Sequence, residues 1–199
     1  MEKNYVVMTD SSADLNPALE QELGVDIIPL SVNCGDRTFL DKDVLYLGFS
    51  SGLSSTYSAS EIAAQELRER YPERKVLTVD TLCASMGQGL LVWLTVQELK
   101  HGATLEEAAK YAEDNRLHLC HWFTVDDLFF LKRGGRVSAA TALVGFISHG
   151  DCLADAEFLA QEVRRRLHVP RIEINYVGPV IGAHSGPGTL ALFFLGTER

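Results

Sequence analysis

Residues 4–9 read Asn4-Tyr5-Val6-Val7-Met8-Thr9 and run directly into Asp10-Ser11-Ser12, a short apolar segment that ends in hydroxyl and carboxyl side chains. Such a segment, closed by turn-forming residues, is typical of a β-strand. The same arrangement recurs downstream, and further strands are predicted at Val25–Val32, Leu45–Phe49 and Lys75–Val79. Helical patterns separate these strands, and this alternation favours a parallel sheet with crossover helices.

Four helices are predicted between and after these strands. A short helix is bounded by Asn16-Pro17 and Gly24, and a capping box at Thr104 and Glu107 opens a helix that ends near Asn115. Ser85–His101 is apolar on almost every side, which indicates a buried helix. Tyr57–Tyr71 is predicted to be amphipathic, with a capping box from Ser58 to Glu61. Its core-facing apolar stripe is expected to contain Ala59, Ile62, Ala63 and Leu67.

The second half of the chain mixes strands and helices less regularly. The predicted elements are a strand at Leu117–Val125, a helical stretch at Asp127–Gly145, a strand at Phe146–Ser148, a helix at Leu153–Leu167, and strands at Arg171–Val177 and Thr189–Leu195. We therefore expect an α/β protein of two domains. Residues 1–116 form a three-layer domain with a mostly parallel sheet, and residues 117–199 form a smaller α+β domain.

Two predicted connections are unusually short. Only Asn33–Val44 joins the second strand to the third, about the minimum for a parallel crossover, and this segment has no helical pattern. Likewise, only Gly145 separates the predicted helix from the strand that begins at Phe146. Either both joins are unusually tight links, or segments of chain are missing at these two places, and the second interpretation is favoured.

Composition excludes several classes of function. The net charge of −9 disfavours a nucleic-acid-binding surface, and no apolar run is long enough to cross a membrane. Met1–Asp10 lacks the features of a signal peptide, and the four scattered cysteines are typical of a reduced, cytoplasmic protein. Neither the phosphate-binding motif of ATPases nor the dinucleotide motif is present. We expect no metal or nucleotide cofactor.

Three predicted strands end in hydroxyl-rich segments, which follow Thr9, Phe49 and Val79. Carboxyl ends of parallel strands share one edge of the sheet, where helix N-termini favour anions. Ser51 and Ser54, on either side of Gly52, would suit a carboxylate or a phosphate. The alternative is that these serines only cap the following helix.

A second interpretation starts from Gly48-Phe49-Ser50-Ser51-Gly52, which matches the nucleophile elbow of serine hydrolases. Acids at Asp126 and Asp151 and histidines at His149 and His184 lie downstream. The chain could therefore be a hydrolase or esterase that uses Ser50. Only two predicted strands precede this motif, however, fewer than a hydrolase sheet requires.

Two further segments carry candidate binding residues. Gly178–Gly188 contains four further glycine and proline residues between its ends and is expected to form an irregular loop that presents His184. Leu131–Arg136 is a basic turn, in which Lys132, Arg133 and Arg136 could hold an acidic partner or a phosphate. The alternatives are a histidine satisfied by backbone carbonyls and a solvated turn.

Taken in order, these segments resemble the DegV family of fatty-acid-binding proteins. The resemblance extends over nearly the whole chain. The matching stretches are Thr9–Leu15, Ile28–Val32, Ser50–Tyr57, Asp80-Thr81 with Ala84–Gly87, Val125–Leu128, Leu131–Arg136, and Gly178–Gly188 with Leu192–Gly196.

The resemblance implies a non-enzymatic carrier that holds a long-chain fatty acid between two domains. It also implies a partner, an ATP-dependent fatty acid kinase that forms acyl-phosphate for phospholipid synthesis. The implied ligand-binding residues are Thr9, Ser11, Ser51, Gly52, Leu53, Ser54 and His184, and Lys132, Arg133 and Arg136 are the expected partner contacts. The family's Thr-Ser-Gln-Pro-Ser stretch, whose threonine also contacts the carboxylate, is absent here. So are the strands and helix that other members have before Phe146.

Overall fold

The computed structural model describes residues 5–28, 42–124 and 144–196. The first of two sheets, sheet A, contains four parallel strands in the order β2-β1-β3-β4. The strands are β1 (Tyr5–Asp10), β2 (Val25–Ile28), β3 (Asp43–Gly48) and β4 (Val76–Asp80). Because all four run in one direction, their carboxyl ends lie at the same edge of the sheet.

Helices connect and cover these strands, and a 3-10 turn at Ser11–Ala13 follows β1 directly. The helices are α1 (Pro17–Leu23), α2 (Thr56–Arg70), α3 (Met86–Lys100) and α4 (Leu105–Asn115). The Asn16 side chain caps α1 by accepting from the Leu19 N–H, and Gly24 ends it with φ at +65°. The Thr104–Glu107 capping box at α4 is also present. The predicted boundaries of both helices are thus confirmed.

Sheet B contains the remaining strands in the order β5-β8-β6-β7. These are β5 (Leu119–Thr124), β6 (Val144–His149), β7 (Arg171–Tyr176) and β8 (Leu190–Leu195), with α5 (Leu153–Leu167) and α6 (Pro179–Ser185) in the connections. β6 and β7 are parallel, whereas β8 runs antiparallel to β5 and to β6. The predicted α/β class is confirmed, with a parallel sheet and a second, mixed sheet.

Helix α3 lies in the interior and joins the two sheets. Its buried side chains, among them Met86 and Leu90, belong to one apolar cluster with Leu47 of sheet A and Phe146 and Phe193 of sheet B. A smaller cluster lies between α5 and sheet B. The prediction that α3 is a buried helix is therefore confirmed, although Trp93, Leu94, Gln97 and Glu98 are half-buried. The predicted domain boundary at Arg116 stays a prediction. The two sheets lie on either side of it in the sequence, whereas the apolar cluster around α3 contains residues from both sides.

The orientation of α2 differs from the prediction. The predicted core stripe faces solvent, with Ile62 65% and Leu67 40% exposed. The opposite face packs on β4 through polar contacts, because Arg68 donates to the Val76 carbonyl oxygen (2.8 Å) and Thr78 donates to Glu61. Glu61 also accepts from Arg68, so the predicted capping box with Ser58 does not form.

Two predicted segments are also corrected. Val144 and Gly145 begin β6, so the predicted helical stretch does not extend through them, and its residues up to 143 lie outside the described residues. Within Gly178–Gly188, residues Pro179–Ser185 form α6 instead of an irregular loop. Proline at the first helical position supplies the required φ and lacks the amide hydrogen that would be unpaired there. Among the described residues, no helix has the length and the apolar composition needed to cross a bilayer.

Candidate functional site

The carboxyl ends of β1, β3 and β4 meet as the sequence predicted, and hydrogen bonds join them. The buried Asp10 carboxylate at the end of β1 accepts from the Phe49 N–H (2.8 Å) and the Tyr46 hydroxyl (2.9 Å). The Thr81 hydroxyl, after β4, donates to the Gly48 carbonyl oxygen (2.7 Å). The burial of Tyr46 and its neighbour Asp10 raise the pKa of the phenol, so Tyr46 remains a donor to the carboxylate. These bonds fix the start of the segment after β3.

That segment, Ser50–Ser54, is called the serine loop below. The backbone N–H groups of this loop donate to acceptors within the loop or to Asp80 at the end of β4. The Ser51 N–H donates to Asp80 Oδ1 (3.1 Å), the Gly52 N–H to Ser50 Oγ (3.3 Å), and the Ser54 N–H to the Ser50 carbonyl oxygen (3.1 Å). The amides of Ser51, Gly52 and Ser54 are therefore bonded within the protein in this structure.

Donors for an anion remain at the N-terminus of α2, immediately after the serine loop. The Ser54 and Thr56 hydroxyls lie 2.8 Å apart, and Ser51 is exposed. The first backbone hydrogen bond of α2 runs from the Ala59 N–H to the Ser55 carbonyl oxygen. The Tyr57 and Ser58 N–H groups precede this bond, and the first N–H groups of a helix form the positive end of its dipole. One of the Ser54 and Thr56 hydroxyls donates to the other, and the Thr56 N–H donates to Ser54 Oγ (3.2 Å), so the remaining hydroxyl hydrogen and the two amides are the donors that could bind one carboxylate here.

Apolar side chains begin beside these donors. Leu53 is 68% exposed, and the outward face of α2 continues this apolar surface through Ala59, Ile62 and Ala63 to Leu67. We call these five residues the apolar stripe. Polar donors at one end of an exposed apolar stripe form a surface that is complementary to an amphiphile with an anionic head.

Thr9 and Ser11, both predicted as ligand contacts, lie on the β1 side of this edge. Thr9 is fully buried, and its hydroxyl donates to the Leu47 carbonyl oxygen (2.9 Å) and accepts from Gln88 Nε2 (2.9 Å). It therefore offers no open group in this structure and instead fixes β1 against β3 and α3. Ser11 is half-buried at the start of the 3-10 turn.

His184 is exposed on α6, which packs against the 3-10 turn after β1. No hydrogen bond joins it to the serine loop among the described residues. The structure thus brings the segment that carries His184 to the same edge of sheet A without placing its ring on the loop. Lys132, Arg133 and Arg136, the predicted partner contacts, lie outside the described residues.

The hydrolase interpretation finds no support in the described part of the chain. Ser50 is buried, its Oγ accepts from the Gly52 N–H, and its φ is not positive. The strained backbone of a nucleophile elbow occurs instead at Ser85, where φ is +55° and ψ is −148°. Ser85 is itself buried. Asp126 lies outside the described residues.

Three aspartates that shape this region were missed as functional residues by the sequence reasoning. Asp10 and Asp80 hold the backbone of the serine loop, and Asp14 accepts from Ser85 Oγ (2.6 Å). A signal was available, because all three follow the ends of predicted strands within hydroxyl-rich segments. Asp and Ser side chains at such positions commonly accept from nearby backbone N–H groups.

Comparisons with known proteins identify the relatives of this chain. The family model described as "Uncharacterised protein, DegV family" matches residues 40–147 and 146–197. A DegV domain-containing protein of Clostridium perfringens is 32% identical, with 99% of each chain covered, and one of Lactococcus lactis is 26% identical.

Solved structures of the same fold agree. One is a fatty-acid-binding DegV family protein from Thermus thermophilus, with a TM-score of 0.78 and 23% identity, covering 97% of this chain and 99% of that one. Another is DegV, a fatty acid binding protein from Bacillus subtilis, with a TM-score of 0.76 and 19% identity, covering 98% and 100%. The family match extends over most of the sequence, and the chain belongs to the DegV family.

Proposed function

We propose that this protein binds a long-chain fatty acid, with the carboxylate at the N-terminus of α2. The resemblance implies an acyl chain between the two domains, but helix α3 fills the space between the two sheets, and we therefore propose that the chain lies along the apolar stripe. The observation that carries this proposal is that the Ser54 and Thr56 hydroxyls stand at the start of α2, next in sequence to exposed Leu53 and on the helix whose outward face exposes Ile62. Fatty acid ligands named for related structures, including stearic acid in a protein from Eubacterium ventriosum, support the same ligand class.

The energetics of such a ligand suit this surface. Full burial of a methylene contributes about 0.8 kcal/mol, and a chain that lies on the apolar stripe gains part of this along its length. The head needs hydrogen bonds rather than a cation, because a carboxylate near a helix N-terminus is stabilised by about 0.3–1 kcal/mol in addition to its bonds. Ser51 and Ser54 are the proposed hydroxyl donors, and Gly52 and Leu53 shape the turn between them.

Thr9, Ser11 and His184 complete the proposed site from the β1 side. Thr9 keeps the strand ends in place, while Ser11 and α6 lie next to each other at the same edge. His184 would approach the head group from α6. Loading of ligand is thus expected to involve α6 as well as the serine loop.

We propose further that the protein is a carrier rather than an enzyme. The exposed position of Ser51 would leave the carboxylate accessible to a separate ATP-dependent kinase, and the chain has no phosphate-binding motif of its own. Lys132, Arg133 and Arg136 are the proposed contacts to that kinase. We propose a cytoplasmic location for these roles.

Mass spectrometry of lipid extracted from the purified, denatured protein tests the binding proposal. We expect a fatty acid in an amount close to one per chain, and saturable binding when the stripped protein is titrated with oleate. Absence of lipid together with failure to bind oleate contradicts the proposal. Release of acyl-phosphate only when an ATP-dependent kinase is added would support the carrier role, and its formation without a kinase would contradict it.

A further inference from the structure

A second group of polar side chains lies where the two sheets meet. Asp14, buried after the 3-10 turn, accepts from Ser85 Oγ (2.6 Å), and Ser85 Oγ lies 3.2 Å from Ser148 Oγ in β6. The Asp14 carbonyl oxygen accepts from Asn175 Nδ2 in β7 (2.8 Å). Residues of sheet A and sheet B are thus joined through Asp14.

The other oxygen of this carboxylate sets the position of α6. Asp14 Oδ1 lies against Gly178, the residue that precedes α6, so closely that a Cβ at Gly178 would lie 2.1 Å from it. Any larger residue at this position would have to displace the carboxylate or α6. The helix that carries His184 therefore starts from a contact with Asp14.

Backbone strain is concentrated at the same place. Asp14 has φ at +51° and Ser85 has φ at +55°, although neither is a glycine. Such a conformation is unfavourable for a residue with a Cβ and persists only where its surroundings fix it. Here the hydrogen bond between the Asp14 and Ser85 side chains holds both residues in these conformations.

Burial and the neighbouring groups act on the pKa of Asp14 in opposite directions. Burial raises its pKa to about 6, while hydrogen bonds from Ser85 and Gly178 lower it and the charge of Asp10 raises it. The groups facing it from the β4–α3 turn, β6, β7 and the start of α6 are neutral: Ser85, Ser148, Asn175 and Gly178. His149 is next to Ser148, but its side chain lies on the opposite face of β6 and stacks on Tyr176.

We propose that Asp14 is a proton-sensitive positioning residue that fixes α6, and with it His184, against the edge of sheet A that carries the proposed fatty acid site. The protonated carboxyl is accommodated in the closed contact. The ionised carboxylate keeps its hydrogen bonds from Ser85 and Gly178, but burial penalises its charge, and this penalty is relieved when the contact opens to water. Opening of α6 therefore increases as the pH rises through about 6.

The sign and size of this effect follow from linkage. In the open form Asp14 is solvated and has an ordinary carboxyl pKa near 4, so the closed form binds the extra proton between about pH 4 and pH 6. Between pH 7 and pH 5 the equilibrium constant for closing is expected to rise about tenfold. That this movement regulates fatty acid binding rests on the proposed function, whereas the movement of α6 itself does not.

Hydrogen–deuterium exchange of the backbone amides of α6, without ligand, tests the movement. In the unmodified protein, protection corrected for intrinsic rates should be about tenfold higher at pH 5 than at pH 7. In Asp14→Asn, which keeps the shape without the charge, protection should not depend on pH. Equal pH dependence in both proteins, or none in either, overturns the proposal.

Two further measurements separate this proposal from the proposed function. Gly178→Ala should expose the α6 amides at both pH values, while the amides of α3 stay protected and show that the variant is folded. If α6 moves as expected but oleate does not bind at either pH, the fatty acid proposal fails and the role of Asp14 stands. If oleate binds but the protection of the α6 amides does not depend on the charge of Asp14, the fatty acid proposal stands and the role of Asp14 fails.

Discussion

The N-terminus of α2 and the contact around Asp14 differ in how far their polar groups are exposed to solvent. At the start of α2, the hydroxyls of half-buried Ser54 and Thr56 lie on the same segment as exposed Leu53 and Ile62. At Asp14, a carboxylate is buried between two sheets and bonded to Ser85. An open set of donors beside an apolar surface is suited to a ligand, whereas a buried carboxylate between elements is suited to controlling how they fit together.

Removal of the Asp10 carboxylate should have the largest effect, because it holds the end of β1 to the serine loop. Asp10→Ala leaves the buried donors of Phe49, Tyr46 and Ser12 without their acceptor. We expect the free energy of unfolding to fall by about 3–6 kcal/mol, measured by urea denaturation. Asp114→Ala, an exposed carboxylate paired with Lys110, is the control and should change it by less than about 0.5 kcal/mol. A small effect of Asp10→Ala would show that the two strand ends are not coupled.

Substitution in the apolar stripe should affect the ligand and not the fold. Because Ile62 is 65% exposed, Ile62→Glu should leave the free energy of unfolding within about 0.5 kcal/mol. It should weaken oleate binding about tenfold or more in a fluorescence titration, since it places a charge on the path of the acyl chain. Gln65→Glu introduces the same residue beside the stripe and should bind oleate normally. If both variants bind equally, the acyl chain lies elsewhere.

The pH dependence of stability should distinguish the buried carboxylate from the open site. The raised pKa of Asp14 means that its stabilising proton is present below about pH 4 and lost as the pH rises through about 6. The unfolding free energy of the unmodified protein relative to Asp14→Asn should therefore rise by about 1.4 kcal/mol from pH 7 to pH 5. Burial lowers the pKa of His149, which acts in the opposite direction, and the difference between the two proteins removes this contribution. A constant difference would contradict the assignment.

Removal of a single hydroxyl at the open site should have the smallest effect. Ser51→Ala is expected to weaken oleate binding about three- to tenfold without changing stability, as the loss of one hydrogen bond implies. Ser55→Ala, an equally exposed position whose side chain makes no capping bond, is the matched control. Isothermal titration of both variants provides the measurement, and an unchanged affinity in Ser51→Ala removes this residue from the site.

Much of the fold could be predicted because local signals and the final structure agree. The Asn16 cap and Gly24 give α1 its boundaries, and the Thr104–Glu107 pair starts α4. The convergence of strand ends followed from the parallel order alone. In these cases each decisive group contacts residues close to it in sequence.

Other features depend on contacts that sequence periodicity does not contain. The stripe of α2 was visible, but periodicity does not show which face packs inward, and Arg68 and Glu61 bond to β4 instead. Asp14 acquires its role only when the chain after β7 brings Gly178 to it and β6 brings Ser148 to its partner Ser85. Proline and glycine in Gly178–Gly188 indicated a loop, whereas their spacing permits a short helix.

Nuclear magnetic resonance of the isotope-labelled protein during an oleate titration tests the central claim most directly. The account predicts that the largest chemical shift changes fall on the amides of Ser51, Tyr57 and Ser58 and on the methyl groups of Leu53 and Ile62. Saturation without changes at these groups, or changes confined to α5 and sheet B, would contradict it.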